Sequence, residues 1–153
     1  MLAMDEIDQA IVRLLERHGR LSQEQLARRV RLSRPAVHQR VKRLEATGVL
    51  KGYRAVLDWA AVGLPLTAFV WVRTGGADCA GVGPALLRVG GDDGFVEECH
   101  RVTGDWCLLL KARAASPLAL QDLIDRVRAV AGVQATMTTL ALSSLHGPSE
   151  ATT

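Results

Sequence analysis

Leu32-Ser33-Arg34-Pro35-Ala36-Val37-His38-Gln39-Arg40-Val41-Lys42-Arg43-Leu44-Glu45 is the stretch on which the reading of this chain turns. Ser33 has the side chain to cap a helix, and Pro35 is tolerated in the first turn, where the N–H it lacks has no helical partner. At 100° per residue, Val37, Val41 and Leu44 gather on one side and pack inward. The opposite side presents Pro35, His38, Gln39, Lys42 and Arg43, with Arg34 and Arg40 at its margins. Gly48 stands where a C-terminal cap is expected.

Upstream, Asp5 opens a helix with Glu6 and Asp8 in its first turn, where the helix dipole favours acids. Ile7, Ile11, Leu14 and Leu15 make one apolar stripe, and Gly19 is expected to stop the helix in a left-handed conformation. Ser22-Gln23-Glu24-Gln25 has capping-box spacing and starts a short helix that buries Leu26 and Val30. Two short helices before a basic amphipathic third predict a helix-turn-helix, whose third helix enters the major groove of duplex DNA. Gln pairs bidentately with adenine there, and Arg or Lys with guanine. Arg34, His38, Gln39 and Arg43 are therefore expected near base edges, with Ser33, Arg40, Lys42, Lys51 and Arg54 on phosphates. For Arg40, an ion pair with Glu45 or an acid of the first helix is an equal alternative. His38 also reads as an exposed bystander. Val49-Leu50 and Tyr53–Leu57, turned at Lys51-Gly52, read as strands resembling a β-wing. A DNA-binding domain is thus expected over 1–57, followed by a linker over 58–65.

Charge supports the assignment. Residues 1–57 hold twelve Lys/Arg against six Asp/Glu, whereas 58–153 hold seven against ten. Within 28–54 the cations Arg28, Arg29, Arg31, Arg34, Arg40, Lys42, Arg43, Lys51 and Arg54 face Glu45 alone, a bias that points to a polyanion. The 153-residue chain is 48% hydrophobic and 23% charged, which suits a globular protein. With no long apolar run and no signal-like start at Met1-Leu2-Ala3, it reads as cytoplasmic. Cys79, Cys99 and Cys107 lack metal-ligand or disulfide-framework spacing and read as reduced thiols.

Downstream, strands are expected at Thr67–Arg73, Phe95–Thr103, Trp106–Arg113 and Val133–Leu142, with helices over 78–90 and from Ser116 to Gly132. The order βαββαβ over 66–142 is the ferredoxin-like pattern, so the fold class is α+β, with a loose tail over 143–153. Strict alternation in the last strand sends Val133, Ala135, Met137 and Ala141 towards the helices. Gln134, Thr136, Thr138 and Leu140 then lie on the other face, together with Phe69 and Trp71. That face needs a cover, and a second subunit is the natural one. Its polar members fit equally a small-ligand site or an ordinary dimer interface.

Rival functions lack their residues. No Gly-rich phosphate loop, HExxH or GxSxG motif is present, and Glu97-Glu98, as strand neighbours, are expected to face opposite ways, so neither an enzyme nor a cofactor is expected. An RNA-recognition module built on the sheet is not expected either, since the basic charge lies in the other domain.

Several segments resemble the Lrp/AsnC family of feast-famine transcription regulators. They are Met4-Asp5-Glu6-Ile7-Asp8, Gly19-Arg20-Leu21-Ser22, Leu32 to Glu45, Gly48-Val49-Leu50, Gly52-Tyr53, and Glu98-Cys99-His100-Arg101-Val102-Thr103-Gly104-Asp105-Trp106. The likeness covers about residues 4–142. It implies a winged-helix-type DNA reader joined to a ligand-sensing domain, homodimers that assemble further, commonly to octamers, and an amino-acid effector. Carried over, the effector site is Thr103, Gly104, Asp105 and Trp106 with Gln134, Thr136 and Thr138. Many members continue the Gly-Asp-aromatic motif with Asp and Tyr, where this chain has Cys107 and Leu108. With Trp106, Leu108 and Leu140 available, an apolar or aromatic amino acid is the expected effector.

Overall fold

Helix α1 (Glu6–Arg17) starts on a reciprocal cap: Asp5 accepts from the Asp8 N–H at 2.8 Å while the Asp8 carboxylate reaches back to the Asp5 N–H. It ends at His18 rather than through a left-handed Gly19, which keeps an ordinary backbone. Helix α2 (Gln23–Val30) is capped by Ser22 and stops at Arg31, which takes the left-handed conformation instead. Helix α3 (Arg34–Ala46) is capped by Ser33 and carries Pro35 in its first turn. The three close on Ile11, Leu15, Leu26, Ala27, Val37, Val41 and Leu44, all buried. The structure, a computed structural model, describes residues 4–75 and 79–143, so residues 1–3, the turn glycine Gly76, the expected helix start at Asp78 and the expected tail beyond Ser143 lie outside the described residues.

Contacts divide the chain into two units, the first running to Val56 and the second starting at Leu57. No wing strand forms over 49–57. Residues 51–58 are irregular and exposed, because a strand needs a ladder partner and none of the described residues supplies one. The stretch 58–65, expected as a linker, instead folds into the second unit. Asp58 accepts from the N–H groups of Ala60 and Ala61, Leu64 is buried, and Trp59 packs 5.6 Å from Phe95.

The second unit is one antiparallel sheet. Strands β1 (Leu66–Thr74), β2 (Gly90–Gly91), β3 (Gly94–Arg101), β4 (Leu108–Ala114) and β5 (Val133–Leu140) lie in the order β2-β3-β4-β1-β5. The two-residue β2 was not anticipated; the other four strands have ferredoxin-like order. Helices α4 (Cys79–Leu86) and α5 (Pro117–Arg128) cover one face, burying Val70, Val72, Leu86, Val96, Leu108, Leu110, Leu123 and Val127. The face opposite them is open. Helix α4 is shorter than the expected 78–90.

Two bulges correct the strand readings. One extra residue between Val96 and Glu98 turns Glu97 and Glu98 to the same side, where Lys111 Nζ meets both, at 3.3 and 3.2 Å. The other lies between Arg73 and Thr74, which pair with Ala135 and Val133 and leave Gln134 as the extra residue. Val133 therefore faces the helices as expected, but every later residue of β5 is reversed. Thr136, Thr138 and Leu140 pair with Val72, Val70 and Ala68 on the helix side, whereas Met137 and Thr139 pair with Trp71 and Phe69 on the open face.

Candidate nucleic-acid interface

The buried side of α3 fixes what its other side can do. Val37, Val41 and Leu44 anchor it to α1 and α2, so Arg34, Pro35, Gln39 and Lys42 are exposed. Ser33 is engaged as the cap, with the Ala36 N–H donating to its hydroxyl at 3.4 Å. His38 is exposed, and its Nδ1 lies 2.9 Å from the Gln23 amide of α2. Glu45 accepts from the Tyr53 hydroxyl at 3.1 Å, which raises the Tyr53 pKa through burial first and the neighbouring carboxylate second. Lys51 and Arg54 lie on the exposed stretch that follows.

Two cations of α3 turn inward. Arg40 donates to Asp5 at 2.7 Å and to Asp8 at 2.8 Å, and Arg43 donates to Asp8 at 2.6 Å. Asp8 is 1% exposed, so its charge is compensated by these two guanidiniums inside the unit. The Asp8 N–H, and after it Arg40, holds the Asp5 carboxyl below its usual range. Arg40 is thereby an internal clamp: of its two readings the structure shows the ion pair with acids of the first helix, not the phosphate contact. Arg43 keeps a side chain 51% exposed. The sequence reading offered the Arg40 pair with an acid of the first helix but not the burial of Asp8 or its second partner, Arg43. The spacing of Asp8 to Ile11 and Leu15, on the buried stripe of α1, was the available signal.

The second candidate group does not come together within one chain. Thr103, Gly104, Asp105 and Trp106 form the loop between β3 and β4, where Gly104 has φ 106°. Trp106 lies under the Arg73 guanidinium, 4.7 Å from ring centroid to Cζ, on the open-face side of β1. Gln134 sits at the β5 bulge beside Gly75, and Thr136 accepts from Arg128 Nε at 2.9 Å on the helix side. Thr138 pairs with Val70. Leu108 is 2% exposed in the core, so it is not available to a ligand as expected. The open face also carries a charged row that sequence reading missed, because the β3 bulge creates it. Arg113 lies over Trp59 and donates to Glu97 at 2.7 Å, and Glu98 is held below its usual pKa by His100, against burial, and then by Lys111.

Residues 4–51 match the family model of winged helix-turn-helix DNA-binding domains, and residues 67–148 match that of the Lrp/AsnC ligand binding domain. The chain belongs to the Lrp/AsnC family. It is 39% identical to the HTH-type transcriptional regulator LrpA of Mycobacterium tuberculosis over 144 residues, 94% of this chain and 93% of the relative. Its fold matches the feast or famine regulatory protein of M. tuberculosis complexed with L-methionine, with TM-score 0.83, 37% identity, and 97% and 98% of the two chains covered. A transcriptional regulator from Neisseria meningitidis in complex with L-methionine matches with TM-score 0.83 and 29% identity over 95% and 94%. This Lrp/AsnC protein is a DNA-binding transcription regulator, not an enzyme. Among the described residues, no helix is long and apolar enough to cross a membrane.

Proposed function

We propose that α3 reads an operator through its solvent face, with Arg34, Pro35, His38, Gln39 and Arg43 near base edges and Ser33, Lys42, Lys51 and Arg54 on phosphates. The observation that carries this is the single-signed face of α3: its acid, Glu45, is engaged by Tyr53, and its inward arginines are held by Asp8. Arg43 belongs to both sets, fixed at one nitrogen and half exposed, so Asp8 pre-orients it toward the groove. Two copies pair through their open sheet faces, where Phe69 is 36% and Met137 44% exposed, and dimers assemble further, as into an octamer. The protein acts in the cytoplasm, where duplex DNA is accessible to it.

An amino acid binds at the loop 103–106 beside Trp106 and Arg73, and changes which assembly is populated. The L-methionine complexes of two relatives support an apolar amino acid. Since Gln134, Thr136 and Thr138 do not share the open face with Trp106, they complete a site only if a neighbouring subunit brings its own β5 edge to the loop. Calorimetric titration with an amino-acid panel tests this reading. Binding confined to Lys, Arg, Asp or Glu would reject it. For DNA, Gln39→Ala is expected to cost roughly 1–3 kcal/mol and to relax preference at one base position. Lys42→Ala is expected instead to lower the salt slope by about one unit, equally on all sequences. If both variants behave alike in quantitative gel shifts on operator and random duplex, α3 is not the reader.

A further inference from the structure

Three side chains meet on the helix side of the sheet. Thr74 Oγ1 lies 3.3 Å from Cys79 Sγ and 3.2 Å from Cys107 Sγ, so two sulfurs flank one hydroxyl. Cys79 is the first residue of α4. Cys107 stands just before β4, its N–H donating to the Val72 carbonyl at 3.1 Å. Burial alone pushes the Cys107 thiol up, but hydrogen bonds with Cys79 and Thr74 outweigh it and leave the group below the usual cysteine range. Cys99 provides an internal contrast. Burial pushes its thiol up, and it faces Gly83 from the core. The chain thus holds two thiols on a shared partner, Thr74, and a third set apart from them.

We propose that Cys79 and Cys107 are an oxidisable pair that closes to a disulfide on exposure to a hydroperoxide. The Cys107 thiolate attacks the peroxide, the O–O bond breaks, and water or an alcohol leaves, giving a sulfenic acid. The Cys79 sulfur then displaces hydroxide from that sulfur, forming the S–S bond and releasing water. Two electrons pass from the two sulfurs to the peroxide, and each thiol gives up one proton. Closing the bond requires both side chains to rotate out of their hydrogen bonds to Thr74. The bond fastens the start of α4 to the residue that follows Trp106, at the root of the loop 102–107. On the reading of that loop as the effector site, oxidation and effector sensing converge on one element.

The experiment is hydrogen peroxide treatment of the full chain, followed by thiol alkylation and peptide mass spectrometry. The expected result is a Cys79–Cys107 cross-linked peptide, with Cys99 alkylated and all three thiols restored by reductant. In Cys79→Ser, Cys107 is expected to stop at a sulfenic acid that dimedone traps. A cross-link through Cys99, overoxidation of Cys107 without a cross-link, or three unreacted thiols would overturn the assignment. Amide hydrogen exchange across 102–107 is expected to slow in the oxidised form. Unchanged exchange would overturn the link to the loop, and neither readout depends on any effector binding there.

Discussion

In the three-helix unit, the apolar stripes of α1, α2 and α3 close on one another and the buried charge of Asp8 is met by Arg40 and Arg43 of the same chain. In the sheet unit, α4 and α5 cover one face only, and the other keeps Phe69 and Met137 more than a third exposed beside a row of paired charges. The first arrangement suits a reading head that must hold its shape alone, since a recognition helix misplaced by an ångström loses its base contacts. The second suits a surface completed by another copy, because an apolar face costs little to leave open in one subunit and stabilises the pair once covered. On the proposed function, rigidity is asked of one unit and association of the other.

The comparison breaks most readily at Asp8. Asp8→Ala leaves two guanidiniums without their shared acceptor, one of them 24% exposed and the other 51%. Both can recover some water, so the expected loss is about 2–4 kcal/mol, below that for a fully buried pair. Urea unfolding of the full chain measures it, and a loss under about 1 kcal/mol would show that the clamp does not hold the unit. On the sheet side, Phe69→Lys is expected to leave circular dichroism unchanged while weakening self-association roughly tenfold or more. Sedimentation equilibrium reads this directly, and unaltered association would move the pairing surface elsewhere.

A smaller effect sharpens the first unit's side of the contrast. The Asp5 carboxyl titrates below its ordinary value of 3.8 in the folded chain, so it contributes stability above that value and loses it as pH falls through the lowered one. The stability difference between wild type and Asp5→Asn should therefore be constant near neutrality and vanish in acid. Thermal unfolding of both proteins between neutral and acid pH gives the answer. A difference that persists at the acid end would mean Asp5 acts by something other than its charge.

Helices and strands differ in how well residue patterns alone reveal them. The buried stripe of α3 follows directly from Val37, Val41 and Leu44, because nothing interrupts a 3.6-residue period, and an error at a helix end stays at that end. Strand β5 is different. Gln134 adds one unpaired residue, and with a period of two that single insertion moves Thr136, Thr138 and Met137 to the wrong faces. The signal for the bulge lies in Gly75, whose missing Cβ leaves the room Gln134 occupies, and nothing local marks it. The wing strand expected over 53–57 does not form for another reason: Tyr53 and Val56 have β-forming side chains, but a strand is a property of two segments. The exposed cations of α3 were legible because their signal is chemical, a run of one charge on one helix face. The faces of Thr136 and Thr138 were not, because they depend on register.

The smallest effect tests how the reading head stops its helices. Arg31 ends α2 at φ 54°, ψ 43°, while Gly48 follows α3 at φ 72° with nothing within 4 Å of where a Cβ would sit. A left-handed backbone costs an L-residue roughly 1–2 kcal/mol, and glycine avoids that cost. Replacing Arg31 by glycine also makes the unfolded chain more flexible, which returns about 0.4–1 kcal/mol. Arg31→Gly is therefore expected to stabilise the three-helix unit by about 0.5 kcal/mol, a shift in the urea midpoint without a change in slope. A clear loss of stability would mean the Arg31 side chain supports the turn between α2 and α3 by contact. Its left-handed backbone would then be held in place by that contact rather than tolerated for want of a glycine.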